Sequence, residues 1–163
     1  MKPKLINHIA AILLTLGLVA WFQETFSIEW SFPYCSDQVD GPASAVWGMP
    51  FPYIRWSTVS SMEYFWMPAA FILNLAVLSA IAFPFVSWVL RAGRLPSFVR
   101  TGAWLVGLLL VVSFGAWTVM LIQTGVYRIP VTNIANEGYE SYTDFRPVHF
   151  GFKTLRYDCT PLK

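Results

Sequence analysis

The chain has 163 residues, 56% of them hydrophobic and only 12% charged, with a net charge of +2. A soluble domain carries about 25% charged residues, so the composition excludes an ordinary soluble fold and points to a membrane protein. No basic run suited to nucleic acid occurs, and the small net charge conceals a segregation: all nine acidic residues fall in two stretches, separated by segments that carry only Lys and Arg.

Residues 1–26 read as a first transmembrane helix. Lys2 and Lys4 precede an apolar run over 5–26, which as a helix reaches roughly 33 Å and crosses a ~30 Å hydrocarbon core. Leu18-Val19-Ala20 imitates a signal cleavage site, but cleavage prefers small residues at both recognition positions, and Leu18 is too large. Trp21, Phe22 and Phe26 also prolong the run, so we expect a retained anchor. Trp21 and Phe22 suit the headgroup boundary, and Ala11 with Thr15 forms one small-xxx-small pair for close helix approach.

Residues 27–63 are rich in aromatics, Pro and Gly, including Trp47-Gly48-Met49-Pro50-Phe51-Pro52-Tyr53. Pro fixes φ and removes donors, which predicts an irregular packed loop. The second transmembrane helix is expected over 64–90. Ser60 and Glu63 have capping-box spacing, and Pro68 marks either a bend or the true first turn. Ala76, Ala80 and Pro84 lie four apart, a packing stripe for another helix. Residues 91–100 form a short Arg-rich link containing Gly93 and Pro96, and a third span is expected over 101–126, released at Gln123, Thr124 and Gly125. In the tail, 127–163, Val148, Phe150 and Phe152 alternate with His149, Gly151 and Lys153, a strand signature. A strand near 127–134 would pair with it as a hairpin, turning at Asn136-Glu137-Gly138.

Orientation follows from the basic residues. Short Lys/Arg-rich segments stay in the cytoplasm, and Lys2, Lys4, Arg91, Arg94 and Arg100 occupy the amino end and the link. Glu24, Glu29, Asp37, Asp40 and Glu63 precede span two, and Glu137, Glu140, Asp144 and Asp158 follow span three. The amino end is therefore expected inside and the carboxyl end outside, in a bacterial inner membrane.

Cys35 and Cys159 then share the oxidising side, which favours a disulfide. Thiol exchange would need a CxxC or a shuttling pair, and the chain has neither. His149 lacks the companions that zinc requires, since His8 is expected on the other side of the membrane; a general base is its functional reading and a cap histidine its plain one. Asn74, polar within a span, reads as helix-helix glue by hydrogen bonding. No Asp, Glu, Lys or Arg falls within a span core, as proton relays and ion pumps need. No cofactor or metal site is expected. The aromatic concentration of Trp47, Phe51, Tyr53 and Trp56 exceeds what an interfacial belt requires, and exposed aromatics mark partner surfaces.

The expected fold is thus a membrane all-α protein of three transmembrane helices, with a small extracytoplasmic cap of irregular loop plus a short β-hairpin. The expected function is non-enzymatic: an accessory or assembly subunit that binds another membrane or periplasmic protein within the lipid bilayer. Two rivals remain, an immunity protein against a membrane-active or periplasmic toxin, and a membrane enzyme using the outer carboxylates or His149.

Overall fold

The computed structural model describes residues 3–31, 45–56, 63–92, 96–129 and 146–152. Cys35, Cys159 and the carboxylates Asp37, Asp40, Glu137, Glu140 and Asp144 lie outside them. Three helices, α1 (Pro3–Thr25), α2 (Pro68–Ala92) and α3 (Ser97–Gln123), are long and apolar enough to cross a membrane. Against the sequence expectation, α2 begins four residues later, at Pro68, and α3 four residues earlier, at Ser97. The chain divides into two compact units, one of Met1–Glu24 and Leu73–Val119, the other of Thr25–Ile72 and Met120–Lys163.

In the first unit α1 is the most covered helix: 39% of its apolar span is buried, against 11% for α2 and 6% for α3. It packs on α2 and α3 through a cluster of Ala10, Ala11 and Leu90, extended by Phe83, Val86, Ala103 and Trp104. Ala11 and Thr15, the expected small pair, are both buried. Gly17 of α1 and Gly107 of α3 mark a close approach of the two helices. A Cβ on Gly17 would meet Leu110 Cβ at 2.5 Å, and one on Gly107 would meet the Leu14 nitrogen at 2.6 Å. Four residues beyond Gly17, the Trp21 indole nitrogen donates to the Leu110 carbonyl at 3.1 Å and contacts Ser113 Oγ at 3.3 Å. Its ring meets Phe114 edge-on. Trp21 therefore ties α1 to α3 instead of standing free in a belt.

The second unit holds a six-stranded sheet of β1 (Phe26–Ser31), β2 (Ala45–Trp47), β3 (Ile54–Trp56), β4 (Tyr64–Trp66), β5 (Tyr127–Arg128) and β6 (Arg146–Phe152), in the order β5-β4-β3-β2-β1-β6. All pairs are antiparallel except β4 with β5. This corrects three expectations. The described part of the segment read as an irregular loop supplies three strands, β1 to β3, whose aromatic and β-branched residues pair despite the prolines. No hairpin joins β5 to β6: they stand at opposite ends of the sheet, β5 on β4 and β6 on β1. Glu63 does not cap a helix, since Tyr64–Trp66 is strand and α2 begins at Pro68. Pro68 has no N–H to leave unsatisfied at a first helical position, and the Met67 carbonyl accepts from the Phe71 amide at 3.1 Å.

Aromatic packing closes the unit's core. Tyr53 is fully buried, with its ring 5.2 Å from that of Phe71, and Trp66 stacks flat on Tyr127 at 6.3 Å. Beside them Arg128 pairs with Glu63 at 2.6 Å. After α3, Gly125 takes φ +75°, the left-handed turn that ends helices with little cost only at glycine, and this redirects the chain into β5.

A candidate partner-binding turn

β2 and β3 are joined by Gly48-Met49-Pro50-Phe51-Pro52-Tyr53, in which Met49–Pro50 is cis. Three hydrogen bonds hold this turn. The Gly48 amide donates to the Ile28 carbonyl at 3.1 Å, the Tyr53 amide to the Trp47 carbonyl at 2.8 Å, and the Trp30 indole to the Gly48 carbonyl at 2.8 Å. Gly48 has no room for a side chain: a Cβ there would run into the Phe51 carbonyl oxygen and lie 2.5 Å from Pro52 Cα. The chain thus folds back tightly on Gly48, with Trp47 and Tyr53 inside and Phe51 outside, 45% exposed.

This geometry separates the aromatic residues singled out in the sequence. Trp47 and Tyr53 are core, buried to 3% and 0% exposure, and offer no surface to a partner. Phe51 remains as the exposed ring. Trp56 belongs to β3, but its side chain is outside the described set. In the same strand, the Arg55 guanidinium lies over the Phe65 ring of β4, 5.1 Å from its centroid, so it packs on an aromatic face.

Elsewhere, Asn74 is fully buried in α2, the placement that helix-helix glue requires. Ala76 and Ala80 are exposed along α2 and line a groove with Ile12, Thr15 and Leu16 of α1. His149 sits in β6 opposite Glu29 of β1; its side chain, like those of the cysteines and outer carboxylates, is outside the described set. Among the described residues no three His, Cys, Asp or Glu side chains gather as a metal centre would need.

Three features escaped the sequence reading. Gln23, near the end of α1, is as buried as Asn74; its place at a span's end concealed it. Gly107 was legible, since Ala103 and Gly107 are four apart, the spacing that admits a close helix. The hydroxyls of Thr15, Ser79 and Ser87 are buried on the α1 and α2 faces and have no hydrogen-bond partner among the described residues. By contrast, in α3 Ser113 donates to the Leu110 carbonyl at 3.1 Å and Thr118 to the Phe114 carbonyl at 3.0 Å. Comparison of the chain with protein-family models, with curated proteins and with solved structures finds no match.

Proposed function

We propose that this chain is a non-enzymatic, multi-pass protein of the bacterial inner membrane, with its amino end cytoplasmic and its carboxyl end periplasmic. It acts by binding another membrane or periplasmic protein, as an accessory or assembly subunit of a larger complex. The observation that carries this reading is Phe51: a large apolar ring, 45% exposed, on a turn whose backbone is held by three hydrogen bonds. A preorganised aromatic loses little conformational entropy on binding and suits an interface anchor. The outer segments would be tied by a Cys35–Cys159 disulfide, as an oxidising compartment favours.

The test is affinity purification in mild detergent of the wild type, Phe51→Ala and a carboxylate set (Asp37→Asn, Asp40→Asn, Glu137→Gln, Glu140→Gln). Phe51→Ala should lose the co-purifying partner while abundance and melting stay unchanged, and the carboxylate set should keep it. Loss of cellular function from one carboxylate change alone, with the partner still bound, would overturn the reading in favour of catalysis.

A further inference from the structure

One face of α2 carries Ala80, Phe83, Pro84, Ser87, Trp88 and Arg91, at helical spacing. Two cavities open along it and share Phe83. The one of about 470 Å³ is lined by Phe83, Pro84, Ser87, Trp88 and Arg91. The other, about 390 Å³, continues past Ala80, Ser79 and Ala76 against Thr15 of α1. Their walls change character in one direction. At the Arg91 end stand a guanidinium and an indole 63% exposed; beyond Phe83 the lining is almost wholly apolar.

Buried polar atoms mark the same path. Ser87 is only 6% exposed and Thr15 only 1%, and both hydroxyls lack a partner among the described residues. A buried hydroxyl without a partner costs free energy, and a helical Ser or Thr ordinarily meets that need by bonding its own preceding turn, as Ser113 and Thr118 do. Pro84 adds to the count, because it has no N–H to give the Ala80 carbonyl. The groove therefore offers hydrogen-bonding capacity in an apolar wall.

The charge at its mouth is one-sided. Arg91 lies in the last turn of α2 and donates through Nη2 to His8 Nδ1 at 3.2 Å; a guanidinium has five N–H donors, so others remain for an anion. In the first unit Glu24 is the one acidic residue of the sequence, and it lies at the far end of α1. The carboxyl end of α2 is the negative end of its dipole, which Arg91 in the last turn offsets. Ala80 is about 16 Å from Arg91 along the helix axis, roughly half the thickness of a bilayer's hydrocarbon core. The groove is thus about as long as one leaflet is deep.

We infer that this groove binds an anionic phospholipid, with its phosphate on Arg91 and an acyl chain along Phe83 toward Ala80 and Thr15. Basic pockets between membrane helices recognise acidic headgroups in this way. The inference rests on the helices spanning a membrane and is independent of any protein partner at Phe51.

The full chain in mild detergent should be titrated with phosphatidylglycerol, with phosphatidylcholine of the same acyl chains, and with inorganic phosphate, and adducts counted by native mass spectrometry. Phosphatidylglycerol should be retained about fivefold over phosphatidylcholine, the preference expected from one basic contact near the headgroup, and inorganic phosphate should not compete. Arg91→Gln should abolish the preference and Arg91→Lys should keep part of it. Ala80→Leu, which fills the groove, should lower retention of both lipids. Equal retention of the two lipids would overturn the site, as would a preference that survives Arg91→Gln or falls equally in Arg100→Gln. Competition by inorganic phosphate would reduce it to an anion site without a lipid. A dimer crosslinked through position 80 and indifferent to phosphatidylglycerol would assign the groove to a second copy instead.

Discussion

A Cβ placed on Gly17 would lie 3.4 Å from the carbonyl oxygen of Gly107, so the backbones of α1 and α3 touch where these two residues meet. Between helices in lipid there is little hydrophobic driving force, and close packing at small residues supplies the attraction. Gly107→Ala should therefore push the helices apart at a cost of about 1–3 kcal/mol, the range for overpacking. Gly115→Ala is the matched control, because among the described residues nothing stands within 4 Å of a Cβ there. Unfolding in detergent should separate the two, with Gly107→Ala lower in midpoint and Gly115→Ala unchanged or higher.

Tyr53 and Phe51 are two residues apart yet should respond oppositely. Tyr53 is fully buried against Phe71, and Tyr53→Ala should cost roughly 3–5 kcal/mol, as for other buried rings. Phe51→Ala should cost within about 1 kcal/mol, as surface changes do. Thermal melts and steady-state abundance of both variants would check the division.

The Arg128–Glu63 pair joins β5 to the residue just before β4 at 2.6 Å. Because the Arg128 side chain is more than half exposed, a double-mutant cycle with Arg128→Ala and Glu63→Ala should give a coupling of only about 0.2–1 kcal/mol. Added salt should shrink it. A coupling of several kcal/mol would mean that the pair is shielded from water.

If Cys35 and Cys159 are bridged, alkylation of the native protein should leave both unmodified until reductant is added. The bond would close most of the chain into one loop, for which chain entropy gives roughly 4–5 kcal/mol. Cys35→Ser and the double Ser variant should then melt together, because either change removes the whole link. Labelling of both thiols in the native protein would refute the bridge.

Orientation is open to a direct assay. A reporter active only outside the cytoplasm, fused after Lys163, should be active, and one fused at Gly93 should be silent. The reverse pattern would invert the assignment of Arg91, Arg94 and Arg100 to the cytoplasmic side.

The three helices were legible because their apolar runs are long and uninterrupted, and β6 because Val148, Phe150 and Phe152 alternate over a full strand. A strand at β5 was expected too, though with β6 as its partner, and β1 to β4 were not. β2, β3 and β4 have three residues each, too few for alternation to register. Their pairing is also non-local: β4 finds β5 across two helices, a relation that no local pattern encodes. The candidate site was half legible. Aromatic content pointed to Trp47, Phe51, Tyr53 and Trp56 together, but which ring faces outward depends on the fold-back at Gly48, a backbone event. Ser60 and Glu63 misled for a related reason, since capping spacing says nothing when the chain after it has a neighbouring strand to join.

The pairing of β1 with β6 brings residues near the start of the chain beside residues near its end. On a ribosome making about 5–20 residues per second, Phe152 would follow Phe26 by on the order of ten seconds. Throughout that interval the nascent β1 has an open side, and two apolar helices must be delivered to the membrane before its partner is synthesised. Translation speed and the supply of a chaperone for that open edge should therefore govern the yield of this protein more than the strength of any single contact in it.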